Sequence, residues 1–167
     1  MKALDAIVGA WRLAAYGFAR DEWLPTDARA NRLGIAGHLL GGGDAPLRAA
    51  SGLSLTIGPR GRFSQTDADA FDGYVYDGEG VETTRGGSFA GSLQPVGTRA
   101  YLLADGVPRN AAPAGRWLET LLLRYDDGDT IVCDWVEPRG EELLRVISVV
   151  TDQLYPSRAT LRYRREG

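Results

Sequence analysis

The stretch from Arg116 to Thr151 constrains the fold most, because it reads as three antiparallel strands joined by two short turns. The strands are Arg116 to Tyr125, Thr130 to Glu137 and Glu142 to Val150, rich in Val, Ile, Leu, Trp and Tyr. Between them stand Asp126-Asp127-Gly128-Asp129 and Pro138-Arg139-Gly140-Glu141, which are hairpin-turn sequences. The predicted pairing sets Tyr125 opposite Thr130 and Glu137 opposite Glu142. Alternation then sorts every side chain onto a face. One face takes Trp117, Glu119, Leu121, Leu123, Tyr125, Thr130, Val132, Asp134, Val136, Leu143, Arg145, Ile147 and Val149. On it Asp134 falls directly opposite Arg145, with Glu119 on the diagonal. The other face takes Leu118, Thr120, Leu122, Arg124, Ile131, Cys133, Trp135, Leu144, Val146, Ser148 and Val150. Each face is largely apolar, so the sheet is expected to be covered on both sides, or to line a cavity with one face and meet a partner with the other. A homodimer is the expected partner.

The rest of the chain repeats the strand-and-turn grammar. Lys2 to Ile7 reads as a short helical turn and Val8 to Phe18 as a strand, with Trp11, Leu13, Ala15 and Gly17 on one face and Arg12, Ala14, Tyr16 and Phe18 on the other. Residues 20 to 34 are polar, contain Pro25 and show no clean period, so a loop or lid is expected, followed by a short strand from Ile35 to Leu40. Further strands are expected at Leu53 to Ile57, Arg62 to Thr66, Gly73 to Tyr76, Val81 to Arg85, Ser88 to Pro95, Arg99 to Ala104 and Ala159 to Arg165, with a loop from Asp105 to Gly115 and a turn at Pro156. No helix of three turns is expected anywhere. About 8 to 10 antiparallel strands in sequential order, without long crossovers, make an all-β, up-and-down barrel over residues 1–167 as a single domain.

Charge and composition remove several function classes. A net charge of −3 offers no basic footprint for nucleic acid. One cysteine, Cys133, cannot form an internal disulfide, and with His38 as the lone histidine no usual structural zinc site can be assembled, so no metal or cofactor is expected. Gly41-Gly42-Gly43 has no Lys-Ser/Thr after it and no helix to present to a phosphate. No apolar run is long enough for a signal peptide or membrane span, so a cytoplasmic protein without a membrane partner is expected.

The helical turn before Gly9-Ala10-Trp11, the meander of strands and the basic last strand Leu161-Arg162-Tyr163-Arg164-Arg165 together resemble the lipocalin-like (calycin) superfamily. The resemblance spans nearly the whole chain. It implies a barrel whose base Trp11 closes, with Arg162 or Arg164 packed across the indole. Lacking a disulfide and a signal peptide, the chain looks closer to the intracellular bacterial barrels, which include cofactor-independent enzymes as well as binders.

The candidate site is the Glu119, Asp134 and Arg145 constellation. A cross-strand ion pair is an ordinary structural device, but charge on an apolar sheet face is costly, and carboxylates perturbed in a cavity are site candidates. A second carboxylate can keep one of the two protonated, giving an acid and a base beside an arginine that holds charge. Trp117, Leu121, Tyr125, Val132 and Ile147 would form apolar walls, Tyr74 and Tyr76 could offer phenols, and His38 is either an exposed loop residue or a base. Cys133 reads as a small buried hydrophobe and Trp11 as a core plug. Two functions follow: a cofactor-independent cyclase or isomerase of biosynthesis that confines a hydrophobic small molecule, or a barrel that only binds or carries one.

Overall fold

In the computed structural model, residues 2–20, 23–41, 46–67, 72–74, 84–85, 89–106, 109–113, 121–126 and 130–167 are described. The elements are α1 (Lys2–Ile7), β1 (Gly9–Arg20), α2 (Ala28–Leu40), β2 (Arg48–Ala49), β3 (Leu53–Ile57), β4 (Arg62–Asp67), β5 (Asp72–Tyr74), β6 (Thr84–Arg85), β7 (Phe89–Val96), β8 (Arg99–Ala104), β9 (Arg109–Pro113), β10 (Leu121–Asp126), β11 (Thr130–Arg139), β12 (Glu142–Thr151) and β13 (Tyr155–Arg165). Eight of the strands close an antiparallel barrel in the order β1, β3, β4, β7, β8, β11, β12, β13 and back to β1. This is the all-β, lipocalin-like meander expected from the strand grammar. Closure leaves the barrel wall without a free edge. β10 pairs with the first residues of β11 and carries β9, while β5 and β6 form a separate two-stranded sheet.

The base is built where α1 meets β1. Gly9 turns the chain from helix to strand at φ +141°, and a Cβ there would lie 2.7 Å from the Arg165 guanidinium. Trp11 is buried, and its indole N–H donates to the Ile7 carbonyl at 2.8 Å. The guanidinium across its ring belongs to Arg165, 4.4 Å from the centroid, and not to Arg162 or Arg164. The register explains the difference: Trp11 pairs with Arg165, so the two share the inner face, whereas Arg162 and Arg164 point outward to Glu142. Arg165 also donates to the carbonyls of Val8 and Ala6, tying down the end of α1.

The pairing of both central hairpins is offset by two residues from the one their turn sequences suggest. Tyr125 faces Val132 instead of Thr130, and the second hairpin runs on to Arg139 opposite Glu142, leaving Gly140 and Glu141 as the loop. Gly140, at φ +62°, supplies the left-handed conformation that a two-residue loop needs at its first position. A shift of two preserves the face of every residue, so the sorting stands, but Asp134 now faces Ile147 and Arg145 faces Val136.

The inner face joins one core with Trp11, Leu55, Phe63, Leu102, Val136, Leu143, Ile147, Leu161 and Tyr163. The outer face, with Cys133, Trp135, Val146 and Val150, packs under Ile35 and Leu39 of α2. Here a loop and short strand were expected and a 13-residue helix is found. Asp27 caps it, accepting from the amides of Arg29 and Ala30. The buried positions Asn31, Ile35, His38 and Leu39 recur at helical spacing, a stripe diluted in the sequence by Gly34, Gly37 and polar neighbours. Gly34 lies close to Leu24, whose side chain would have to shift to admit a Cβ 2.9 Å away. α2 thus covers the described part of this outer face around Cys133, Trp135, Val146 and Val150.

Three smaller expectations also change. Arg109–Pro113 is a strand where a loop was expected, and β13 begins at Tyr155, ahead of the proline expected to turn the chain. Pro156 faces Val150 within that ladder. In β1 the register slips between Leu13 and Ala15, so Leu13 pairs with Tyr163 while Tyr16 and Phe18 pair with Leu161 and Ala159. The bulge flips the face. Trp11, Leu13, Tyr16 and Phe18 therefore share the interior, and Ala15 and Gly17 leave it.

Candidate functional site

Inside the barrel, β11 and β12 place Asp134 and Arg145 diagonally across one ladder, and the arginine is long enough to close the gap. Its Nε donates to Asp134 Oδ1 at 2.9 Å and its Nη2 to Oδ2 at 2.6 Å, a bidentate pair. Arg145 is 0% exposed and Asp134 5%. The remaining terminal nitrogen, Nη1, donates to Gln65 Oε1 at 2.5 Å across the barrel, with the Tyr163 hydroxyl at 3.5 Å. Four strands thus contribute to one polar layer in an apolar interior. Such a pair costs several kcal/mol to desolvate and survives because its hydrogen bonds are met.

Val132 and Ile147 flank the layer on the same inner face, as expected. Of the other predicted site residues, His38 is described and does not join the layer. His38 lies outside the barrel, on the buried side of α2, where its Nε2–H donates to the Ser157 carbonyl at 2.9 Å. Arg158 completes this dock, donating to the His38 carbonyl at 2.8 Å and to Ser148 Oγ at 3.2 Å. His38 is thus neither an exposed loop residue nor a neighbour of Asp134. Tyr74 belongs to the small β5–β6 sheet, and Leu121 faces Pro113 in the β9–β10 extension, beside the barrel wall. Tyr125 is opposite Val132 at the start of β11. Glu119, Trp117 and Tyr76 lie outside the described residues. Cys133 is the buried hydrophobe expected, and burial pushes its thiol up to about 12.

Sequence reasoning passed over Gln65 and Tyr163, although alternation with Phe63 and Leu161 puts both on the inner face. It also missed the far end of the barrel. There Tyr16, Gly17 and Phe18 of β1, with Pro46, Arg48, Ala49 and Ala50, line a pocket of about 440 Å³, open on one side. Tyr16 and Phe18 pack against the interior core, so the pocket is the barrel's mouth. Burial raises the Tyr16 phenol to about 12, which keeps it a neutral hydroxyl across the physiological range. The signal that would have found this mouth is the Ala14-Ala15 pair, where the large apolar residues of β1 change parity from Trp11 and Leu13 to Tyr16 and Phe18.

Among the described residues no three His, Cys, Asp or Glu side chains gather as a metal site would need, and no helix is long and apolar enough to cross a membrane. The fold and its open end define a closed eight-stranded, lipocalin-like barrel. No family model, curated protein or solved structure matches the chain.

Proposed function

We propose that the barrel binds a hydrophobic small molecule through its open end. The observation that carries this is the mouth pocket, whose aromatic walls are continuous with the interior core and whose volume lies in the range of roughly 300–1,000 Å³ typical of ligand sites. The Asp134–Arg145 layer then acts as a rigid polar floor. The neutral fluorescent probe N-phenyl-1-naphthylamine should bind saturably, and Phe18→Asp should weaken it by about tenfold, the cost of setting a charge in an apolar wall. Unchanged probe binding in Phe18→Asp, with the fold intact by circular dichroism, would remove the mouth from this role.

A second, catalytic reading is favoured by the charged pair inside an otherwise apolar barrel. In it the chain is a cyclase or isomerase, with Glu119 and Asp134 as acid and base and Arg145 holding developing charge. Against it stands the geometry of Asp134, both of whose oxygens accept from Arg145. The double variant Asp134→Asn with Arg145→Met separates the two readings. Turnover of a candidate substrate should be lost with stability regained if the pair is catalytic, and Glu119→Gln should then impair turnover while leaving stability nearly unchanged.

A further inference from the structure

The mouth pocket carries a charge that the rest of the barrel does not explain. Arg48 stands opposite Tyr16 in the β1–β2 ladder, so both side chains leave the sheet on the same face, the face that lines the pocket. No described carboxylate lines the pocket, and among the described residues Arg48 has no ion-pair partner. Several other described arginines form ion pairs: Arg12 with Glu166, Arg62 with Asp105, Arg139 with Glu137, and Arg162 and Arg164 with Glu142. Arg48 is also set apart by its neighbours, two aromatic rings and two alanines. A guanidinium presents a planar fork of donors that matches a carboxylate, and next to apolar surface it is less well hydrated than at an open site.

We infer that the mouth selects an aromatic or otherwise flat apolar molecule carrying one anionic group, with the ring between Tyr16 and Phe18 and the carboxylate on Arg48. The inference rests on the binding role proposed for this pocket and adds the chemistry of its ligand. The protonated Tyr16 phenol is consistent with it, since the phenol sets no negative charge against the bound anion. A cation would meet Arg48 unshielded and be rejected.

Three probes sharing one ring system test the inference on the full chain by calorimetric titration: 2-naphthoate, 2-naphthalenemethanol and 2-naphthylmethylammonium. 2-Naphthoate should bind roughly tenfold or more tightly than the alcohol, the scale of a hydrogen bond to a charged group, and the ammonium weakest of all. Arg48→Gln should abolish the difference between acid and alcohol by weakening the acid. Arg48→Lys should keep most of it, and rising salt should shrink it. Equal binding of acid and alcohol, with both lost in Phe18→Asp, would overturn the anion inference and leave the apolar binding role standing. An equal loss of acid and alcohol in Arg48→Gln would overturn it as well. Binding of all three probes unaffected by Phe18→Asp would overturn both.

Discussion

The two ends of this barrel are made from the same strands and treat polar groups in opposite ways. At the base, the Trp11 N–H, the Arg165 guanidinium and the last carbonyls of α1 satisfy one another, and the apolar residues between them are buried. At the mouth, Tyr16 and Phe18 are only partly covered and Arg48 is exposed beside them. The base is the more tightly packed end and the mouth is the end proposed for binding, a division that fits the general rule that binding surfaces are drawn from the less tightly packed parts of a fold.

The largest effect is expected at the buried Asp134–Arg145 pair. Arg145→Met leaves a carboxylate buried without its partner and should cost about 3–5 kcal/mol in urea unfolding, whereas adding Asp134→Asn should recover much of the loss. Failure of the double variant to recover would mean that Gln65 and Tyr163 need the arginine as much as Asp134 does. Next come the two ends compared directly. Trp11→Ala should cost about 3–5 kcal/mol, as for a fully buried large aromatic. Phe18→Ala, at a half-covered site, should cost less and yet weaken probe binding more. Equal costs at both ends would break the comparison.

Asp27→Ala removes the α2 cap and should cost about 1 kcal/mol. Its effect belongs on the outer face, so probe binding at the mouth should be unchanged. The smallest effects are those of pH. The Tyr16 phenol stays protonated in the folded chain up to about 12, while the unfolded chain releases its proton near the ordinary tyrosine value of about 10. Between those values the native state binds more protons, so stability should fall as pH rises through that window and be level below it. Absorbance titration of Tyr16→Phe against the parent chain isolates the contribution. Cys133, likewise raised to about 12, should resist iodoacetamide at pH 8 until the chain is unfolded.

The legible parts of the fold were those that depend on local period. Alternation placed Asp134, Arg145, Val132 and Ile147 on one face and Cys133 and Trp135 on the other, and this survived an error of two residues in both hairpins because the side-chain period is also two. Turn residues marked the hairpins, and Trp11 was legible as a core residue near the first turn. The candidate pair was therefore visible before its geometry was. Its true form was not, since the diagonal offset depends on where each turn closes.

What only the tertiary structure decided concerns residues far apart in sequence. Gln65 reaches Arg145 because the barrel closes, and Arg165 rather than Arg162 or Arg164 covers Trp11 because the last strand's register is set against β1. The α2 stripe of Asn31, Ile35, His38 and Leu39 has too few apolar positions to announce a helix alone, and acquires its meaning against the wall formed by β11 and β12. One extra residue in β1 turns Tyr16 and Phe18 into the mouth. Strand periodicity is a property of a few neighbouring residues and can be read from them, whereas bulges, registers and convergence inside a barrel are set by closure, in which every strand constrains the others at once.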